Sequence, residues 1–437
     1  MLGDFRRDQE IEFMPGLAES GYLSEAEVRS AAASGLSSLA VDGRRVLVVI
    51  PDGTRTMPMP LFFDILDREL GPRVSALDFL VALGTHPPMN DEDLSRHLGR
   101  SVSNGFAGTR RIFNHRWNDP TAFVALGDIP ADEIAALTGG LLRQPVAVSL
   151  NKLILDYDHI LICGPVFPHE VAGFSGGAKY FFPGIAGPEI IHFTHWLGAL
   201  ATSSATIGET DTAVRAVIHR AAEFVDRPHS LLATVVTREG VAGIFCGPTI
   251  ETWATAAALS AERHVVTVDR PFQRVLAIVP RMYSDLWTGA KGMYKTESAV
   301  ADGGEVVLYA PHIREVSQVH GRLLEEIGYH CRDYFIAQWD RFGHYPGGIL
   351  AHSTHLRGLG TWDAARQIET LRIQVTLATG ISEECCRRLN LGYLNPEMID
   401  QKAWNDRVTD GWVVIPNAGE TLYKLKIGAR ASVEKPE

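Results

Sequence analysis

This chain of 437 residues has no long run of lysine or arginine, and its formal charge is -11 at pH 7. It therefore lacks the electrostatic footprint of a protein that tracks a phosphate backbone, and nucleic acid is not an expected partner. It also lacks an uninterrupted apolar run long enough to cross a bilayer, and its opening MLGDFRRDQEIEFMPG has no apolar core of the kind a secretory signal needs. No membrane partner is expected, and the cytoplasm is the expected compartment. Cysteine is scarce: Cys163, Cys246, Cys331, Cys385 and Cys386 form neither an even disulfide framework nor a CxxC metal pattern, which suits a reducing compartment. Repeats and low-complexity tracts are missing too.

What is present is an ordinary globular composition, 46% hydrophobic and 21% charged, in a chain longer than one hydrophobic core usually supports. Short β-branched or leucine-rich runs end abruptly in polar or glycine-containing turns: RRVLVVIPDGTR, LDFLVALGTH, DHILICGPV, QRVLAIVPR, GEVVLYAPH and GWVVIPNAG. Such runs read as buried parallel strands. Helix-like segments alternate with them, among them MPLFFDILDREL, DEDLSRHL, TIETWATAAALSAERH and VHGRLLEEIGYHCRDYF, and SEECCRRL puts Cys385 and Cys386 on another. The fold class expected is α/β, with two α/β domains built on mainly parallel sheets. The strand pattern starts afresh after the helix near 250–264, so the boundary is expected near residue 270, giving domains 1–270 and 271–437. The final segment is expected to pack back on the first domain. Ligands of open α/β sheets sit beyond the carboxyl ends of strands, so the expected site is a cleft between the domains.

The candidate site residues follow strand runs. In PDGTRTMPMP, Asp52, Thr54 and Arg55 lie on a strand-end loop, where arginine can fork onto a carboxylate or phosphate and Asp52 can orient it. In ALGTHPPMNDEDL, the helix-capping residues Asn90 and Asp91 need no chemistry, and His86 reads as a weaker candidate. His115, in IFNHRWNDP, is a candidate acid/base residue because imidazole titrates near neutrality.

The densest cluster is HEVAGFSGGAKYFFPG followed by GPEIIHFTHWLG, which sets His169, a small-residue turn, Lys179, His192 and His195 behind one buried strand. The turn resembles a helix start that exposes N–H groups to phosphate, but Ala178 and Tyr180 break the GxxxxGK[ST] pattern needed for magnesium-nucleotide hydrolysis. Lys179 can pair with an anion or act as an amine nucleophile once desolvated. His192 and His195 share a helix face, without the HExxH of a zinc protease, so either could be a lone protein ligand to a metal held mostly by a cofactor. In SDLWTGAKGMYKTES, Lys291 sits in a second small-residue turn with Trp287 as an apolar wall, Lys295 is expected in solvent, and His352 and His355 read as a structural loop pair.

Taken in order, Asp52-Gly-Thr-Arg55, Asn114-His115, the stretch His169 to Lys179, His195 and Gly289-Ala290-Lys291-Gly292 resemble the nickel-pincer-nucleotide lactate racemase family. The resemblance implies that Lys179 carries the pyridinium-derived pincer nucleotide through a thioamide link, that His195 completes the nickel coordination, and that Asp52, Thr54, Gly173, Ser175, Gly176 and Gly177 hold the nucleotide. It implies His115 and His169 as paired acid/base residues and Arg55, Lys291 and Trp287 around the substrate. The chain departs from the family after His115, where Arg116 and Trp117 precede the acidic Asp119. The activity implied is inversion at C2 of a 2-hydroxy acid, lactate or a longer acid such as an aldonate, with other proteins supplying the pincer. A C–H beside a hydroxyl is too weak an acid for imidazole, which is why a hydride acceptor and two proton carriers are needed. A non-catalytic binder of a phosphate ligand, or a nickel-free hydro-lyase or isomerase, is the alternative.

Overall fold

The structure, a computed structural model, describes residues 14–17 and 21–426. Its first sheet has eight strands in the order Met14–Leu17, Gly240–Gly247, His229–Thr237, His159–Pro165, Arg45–Ile50, Ala76–Val81, Arg110–Asn114, Phe106–Ala107. The five strands from His229–Thr237 to Arg110–Asn114 run parallel, and antiparallel strands close both edges. Alternate residues of the central strands enter different cores: Leu47 and Val49 one, Val46, Val48 and Ile50 the other. Both faces are thus covered, and that is why these runs are continuously apolar.

The chain leaves Arg45–Ile50 to build outward through Ala76–Val81 in one direction, and later builds through His159–Pro165 and His229–Thr237 in the other. The topological switch therefore lies between Arg45–Ile50 and His159–Pro165, where a crevice opens at the carboxyl ends. Asp52 and Arg55 follow one of these strands and His169 to Lys179 follow the other.

A second sheet of five parallel strands has the order Gly392–Tyr393, Gln374–Thr379, Val300–Ala310, Phe272–Ile278, Trp412–Ile415. Its own direction reverses beside Phe272–Ile278, and the loops leaving that strand and Trp412–Ile415 carry Tyr283, Trp287, Lys291 and Glu420 toward the first sheet's crevice. All six runs singled out above are parallel strands of these two sheets. We divide the chain near residue 270, between the sheets. The strand Leu422–Leu425 pairs in parallel with Val265–Val268, and Lys424 bridges to Glu209 at 2.6 Å.

The helix Pro188–Ala201 begins with proline in its first turn, where the missing N–H costs nothing. It packs on the helix Gly347–Arg357 closely enough that a Cβ at Gly347 would lie 2.5 Å from the His192 carbonyl oxygen. Gly347→Ala is therefore expected to lower stability by about 1–3 kcal/mol through forced separation of the helices. A denaturant titration checks this against Gly321→Ala, where no atom lies within 4 Å of the new methyl and no fall in midpoint is expected.

Candidate active site

The loop after Ile50 is fixed by a chain of hydrogen bonds. The Arg55 guanidinium donates to Thr54 Oγ1 at 2.7 Å, Thr54 Oγ1 donates to Asp52 Oδ1 at 2.6 Å, and His86 Nδ1 meets Asp52 Oδ2. Burial pushes the Asp52 carboxyl up, but His86, Arg55 and the Thr54 hydroxyl together hold it well below the usual carboxylate range. Asp52 thus orients Arg55 through Thr54 and holds His86 directly. Because the carboxylate accepts from Nδ1–H, His86 keeps its Nε2 lone pair free.

The segment from His169 to Lys179 is held from behind. Gly176 and Gly177 have φ of 78° and 60°, which side chains rarely adopt, and a Cβ on Gly177 would press within 2.8 Å of the Trp253 ring. Trp253 Nε1 donates to the Ser175 carbonyl at 2.8 Å, and buried Arg215, stacked 4.1 Å from the Trp253 ring centre, donates to the Gly176 and Phe174 carbonyls. The Ser175 hydroxyl donates to the Pro165 carbonyl and accepts from Phe167 N–H. Gly173 packs against the Glu209 backbone. The expected phosphate-binding helix start is instead a turn followed by the short tight helix Gly177–Tyr180, and the next α-helix begins at Pro188. Its glycines and Ser175 hydroxyl serve the turn itself, which presents Lys179.

Lys179, His169, His195, His86, Arg55, Lys291 and Trp287 line one chamber of about 110 Å³, together with Glu170, His352 and His355. Burial and the neighbouring Arg55 charge bring the Lys179 amine down to about 7, and the same two causes bring Lys291 to about 7. Lys291 lies 4.3 Å from the Tyr283 ring centre. His195 Nδ1 donates to the Ile191 carbonyl at 2.6 Å, one turn back on its helix, which leaves Nε2 as the free donor atom. Burial holds the His195 imidazole neutral, at about 3. His169 Nδ1 accepts from Val171 N–H at 3.1 Å, a closer contact than the 3.4 Å from that nitrogen to the Glu170 carboxylate, which favours the neutral tautomer with its proton on Nε2. Burial, then the charges of Lys179 and Arg55, push its imidazole well below the usual range. Burial raises the adjacent Glu170 carboxyl, but His355, a backbone N–H and the two lysines keep it below its ordinary value.

His115 is not brought into this chamber. It is 1% exposed, its Nε2 meets the Ala186 carbonyl at 3.1 Å and its Nδ1 meets the Asn151 side-chain amide at 3.2 Å. Burial takes it to about 4, so it is a neutral, fully partnered core histidine. Its neighbour Asn114 pins Met89 by bonds in both directions, 3.0 and 2.8 Å, which secures the loop bearing His86. His86, the weaker candidate in the sequence, faces the chamber instead. Gly84 N–H donates to the Gly184 carbonyl at 2.9 Å and ties that loop to the Lys179 segment. His192 turns from the chamber to accept from Gly348 N–H at 3.4 Å.

Two further expectations are corrected. Lys295 is 2% exposed rather than solvated: the segment Pro416–Glu420 covers it, its Nζ donates to the Glu420 carbonyl at 2.9 Å, and burial brings it to about 8. His352 and His355 belong to the buried helix Gly347–Arg357, not a loop, and His352 stacks on Trp287 with ring centres 4.2 Å apart.

A lysine amine at about 7 is an ammonium below neutrality and a free nucleophile above it. Acetylation of Lys179 in the apoprotein, followed by peptide mass spectrometry, is therefore expected to accelerate as pH rises through about 7 and then level off. Exposed lysines keep accelerating toward about 10.4, and a Lys179 rate that follows them contradicts the desolvated amine.

Comparison with known proteins adds a family. Residues 22–208 match the lactate racemase N-terminal domain. Lactate racemase from Lactiplantibacillus plantarum is 26% identical over 297 residues, covering 63% of this chain and 62% of that protein. The enzyme of the same name from Thermoanaerobacterium thermosaccharolyticum is 23% identical over 295 residues, covering 65% and 63%. The matched stretch thus spans less than two thirds of these curated relatives. A crystal structure of a Thermotoga maritima protein superposes with a TM-score of 0.85 at 31% identity, over 94% of this chain and 100% of that one. The lactate racemase apoprotein of T. thermosaccharolyticum shares the fold, with a TM-score of 0.70 at 19% identity over 92% and 93%. The domain match lies on the strands and loops that carry Arg55, His86, His169, Lys179 and His195 of the chamber, and over residues 22–208 the chain has a lactate racemase N-terminal domain.

Proposed function

We propose that this protein inverts the configuration at C2 of a 2-hydroxy acid, as a racemase or epimerase using a nickel-pincer nucleotide tethered to Lys179. One observation carries the reading: a desolvated amine, a helix-borne imidazole with a free nitrogen, and four further imidazoles, His86 and His169 among them, share one chamber. The residues fit such a group. The Lys179 side-chain amine has no hydrogen bond or ion pair among the described residues, and burial brings it to about 7, as a covalent anchor requires. His195 Nε2 would be the protein's donor to a nickel ion whose other donors the nucleotide would supply. Asp52, Thr54, Ser175 and Gly176 would border the nucleotide, and cofactor-biosynthesis proteins would supply it. The five cysteines are all unpaired, which supports a reducing cytoplasm.

When bound, the nucleotide supplies an acceptor for the hydrogen that leaves C2 with its electron pair. The protein supplies the proton chemistry. Arg55 and Lys291 hold the substrate carboxylate, and Trp287 walls the pocket. His86, with Asp52 on Nδ1–H, offers a lone pair at Nε2 to take the hydroxyl proton. His169, with Val171 N–H on Nδ1, would donate a hydrogen bond from Nε2–H to the oxygen at C2 and keep that proton, since the neutral ring could give it up only by becoming an imidazolate. The proton that His86 takes up is returned to the oxygen when the C2–H bond re-forms, so both rings end a turnover as they began it.

His86→Ala and His169→Ala are each expected to lower turnover by about 10²–10⁴-fold while retaining the covalent adduct seen by intact mass. Lys179→Ala is expected to carry no adduct, and His195→Ala to retain less nickel by elemental analysis. His115→Ala is expected to cost about 1–3 kcal/mol of stability by stranding Asn151, with activity retained in the folded fraction. Equal masses for loaded wild type and Lys179→Ala, or loss of chemistry only in the His115 variant, contradict the assignment.

A further inference from the structure

Beyond His86 lies a second, larger cavity of about 510 Å³ that shares Thr85, His86, Trp287 and Thr288 with the chamber. The methyl group of lactate would use a small part of it. Its far wall comes from loops of the second sheet's domain and is polar: Ser284, Asp285, Ser317, Gln318 and His320.

The charges on that wall decide what fits. No lysine lines the cavity, and its one arginine, Arg96, is already paired with Glu92 and Asp93 at 2.9 Å each. Asp52, Asp93 and Asp285 face the same space, so a second carboxylate would be repelled rather than bound. Hydroxyl groups are matched instead. Ser317 Oγ accepts from the N–H groups of Val319 and His320, which leaves its O–H to donate. Asp285 Oδ2 has only a 3.2 Å bond from Gln318 N–H and accepts further.

His320 supplies the independent sign. It is 7% exposed, its ring lies 4.7 Å from that of Trp287 and 5.7 Å from that of Trp117, and its Nε2 is buried with no hydrogen-bond partner. A buried ring nitrogen without a partner costs about 1–3 kcal/mol, a penalty that a ligand hydroxyl would relieve once the ring turns that nitrogen toward the cavity that His320 lines. Burial, reinforced by His192 and His86, holds this imidazole near 4, so it is a neutral hydrogen-bonding group at pH 7.

We infer that this cavity receives the substrate's chain beyond C2, that the chain it takes is uncharged and hydroxylated, as in an aldonate, and that His320 is a specificity-determining residue. The inference rests on the C2-inverting reading given above. It departs from that reading in ranking the substrates: a polyhydroxy monocarboxylate above lactate, and both above a dicarboxylate.

Nickel-loaded holoenzyme is assayed with gluconate, lactate and malate, with C2 inversion read by chiral chromatography. The expected kcat/KM for gluconate exceeds that for lactate by at least about tenfold, with malate lowest. His320→Ala is expected to cut the gluconate-to-lactate ratio about tenfold, and His320→Asn to restore most of it, with melting curves confirming that both variants fold. Lactate or malate turned over as well as gluconate, or a ratio unmoved in His320→Ala, overturns the inference. Should no acid be inverted, the racemase reading fails, and calorimetry of the same holoenzyme then decides for the cavity. Gluconate bound more tightly than lactate, with the difference lost in His320→Ala, upholds it, and equal or absent binding overturns it.

Discussion

The site depends on crowding cations where water is scarce. Arg55, Lys179 and Lys291 converge at the carboxyl ends of two sheets, and each lysine is depressed first by its own burial and then by the guanidinium beside it. Lysine yields its proton under such conditions, whereas arginine does not, so the chamber holds a permanent cation next to amines brought down to about 7. An anionic substrate relieves the guanidinium's isolation, and a neutral amine is free for covalent chemistry. The fold sustains this because the rest of the loop is over-determined: Asp52 is held by Thr54, Arg55 and His86 at once, and the Lys179 turn is clamped by Trp253 and Arg215.

The same backbone sets the two imidazoles differently. A carboxylate addresses Nδ1 of His86 and a backbone N–H addresses Nδ1 of His169, so the atoms that face the chamber are a lone pair on one ring and a proton on the other. Such preorganisation matters because one ring can take and return the hydroxyl proton while the other steadies the same oxygen by a hydrogen bond, and neither ring has to turn over first.

Much of the frame was legible in the residues. Strands such as VLVVI and ILICG are apolar at every position because helices cover both faces, and this marked them as central and parallel. Strand order was not legible, since it depends on which way each crossover turns, and the site follows from strand order. His86 and His115 both stand just past an apolar run, but Arg110–Asn114 lies one strand farther from the switch point than Ala76–Val81. That placement buries His115 against Asn151 and turns His86 to the chamber. Lys291 and Lys295 differ in the same way: both lie behind one small-residue turn, and only the distant segment Pro416–Glu420 decides that Lys295 is covered. Lys179 and His195 were readable because a tight turn and a helix on adjoining sequence leave them little freedom.

The central claim, opposite presetting of the two rings, is tested most directly by nitrogen-15 NMR of the histidine side chains in the apoprotein near neutral pH, with His86→Ala and His169→Ala used for assignment. The account predicts that His86 is the tautomer protonated on Nδ1 and His169 the tautomer protonated on Nε2. Finding the same tautomer in both rings would contradict it.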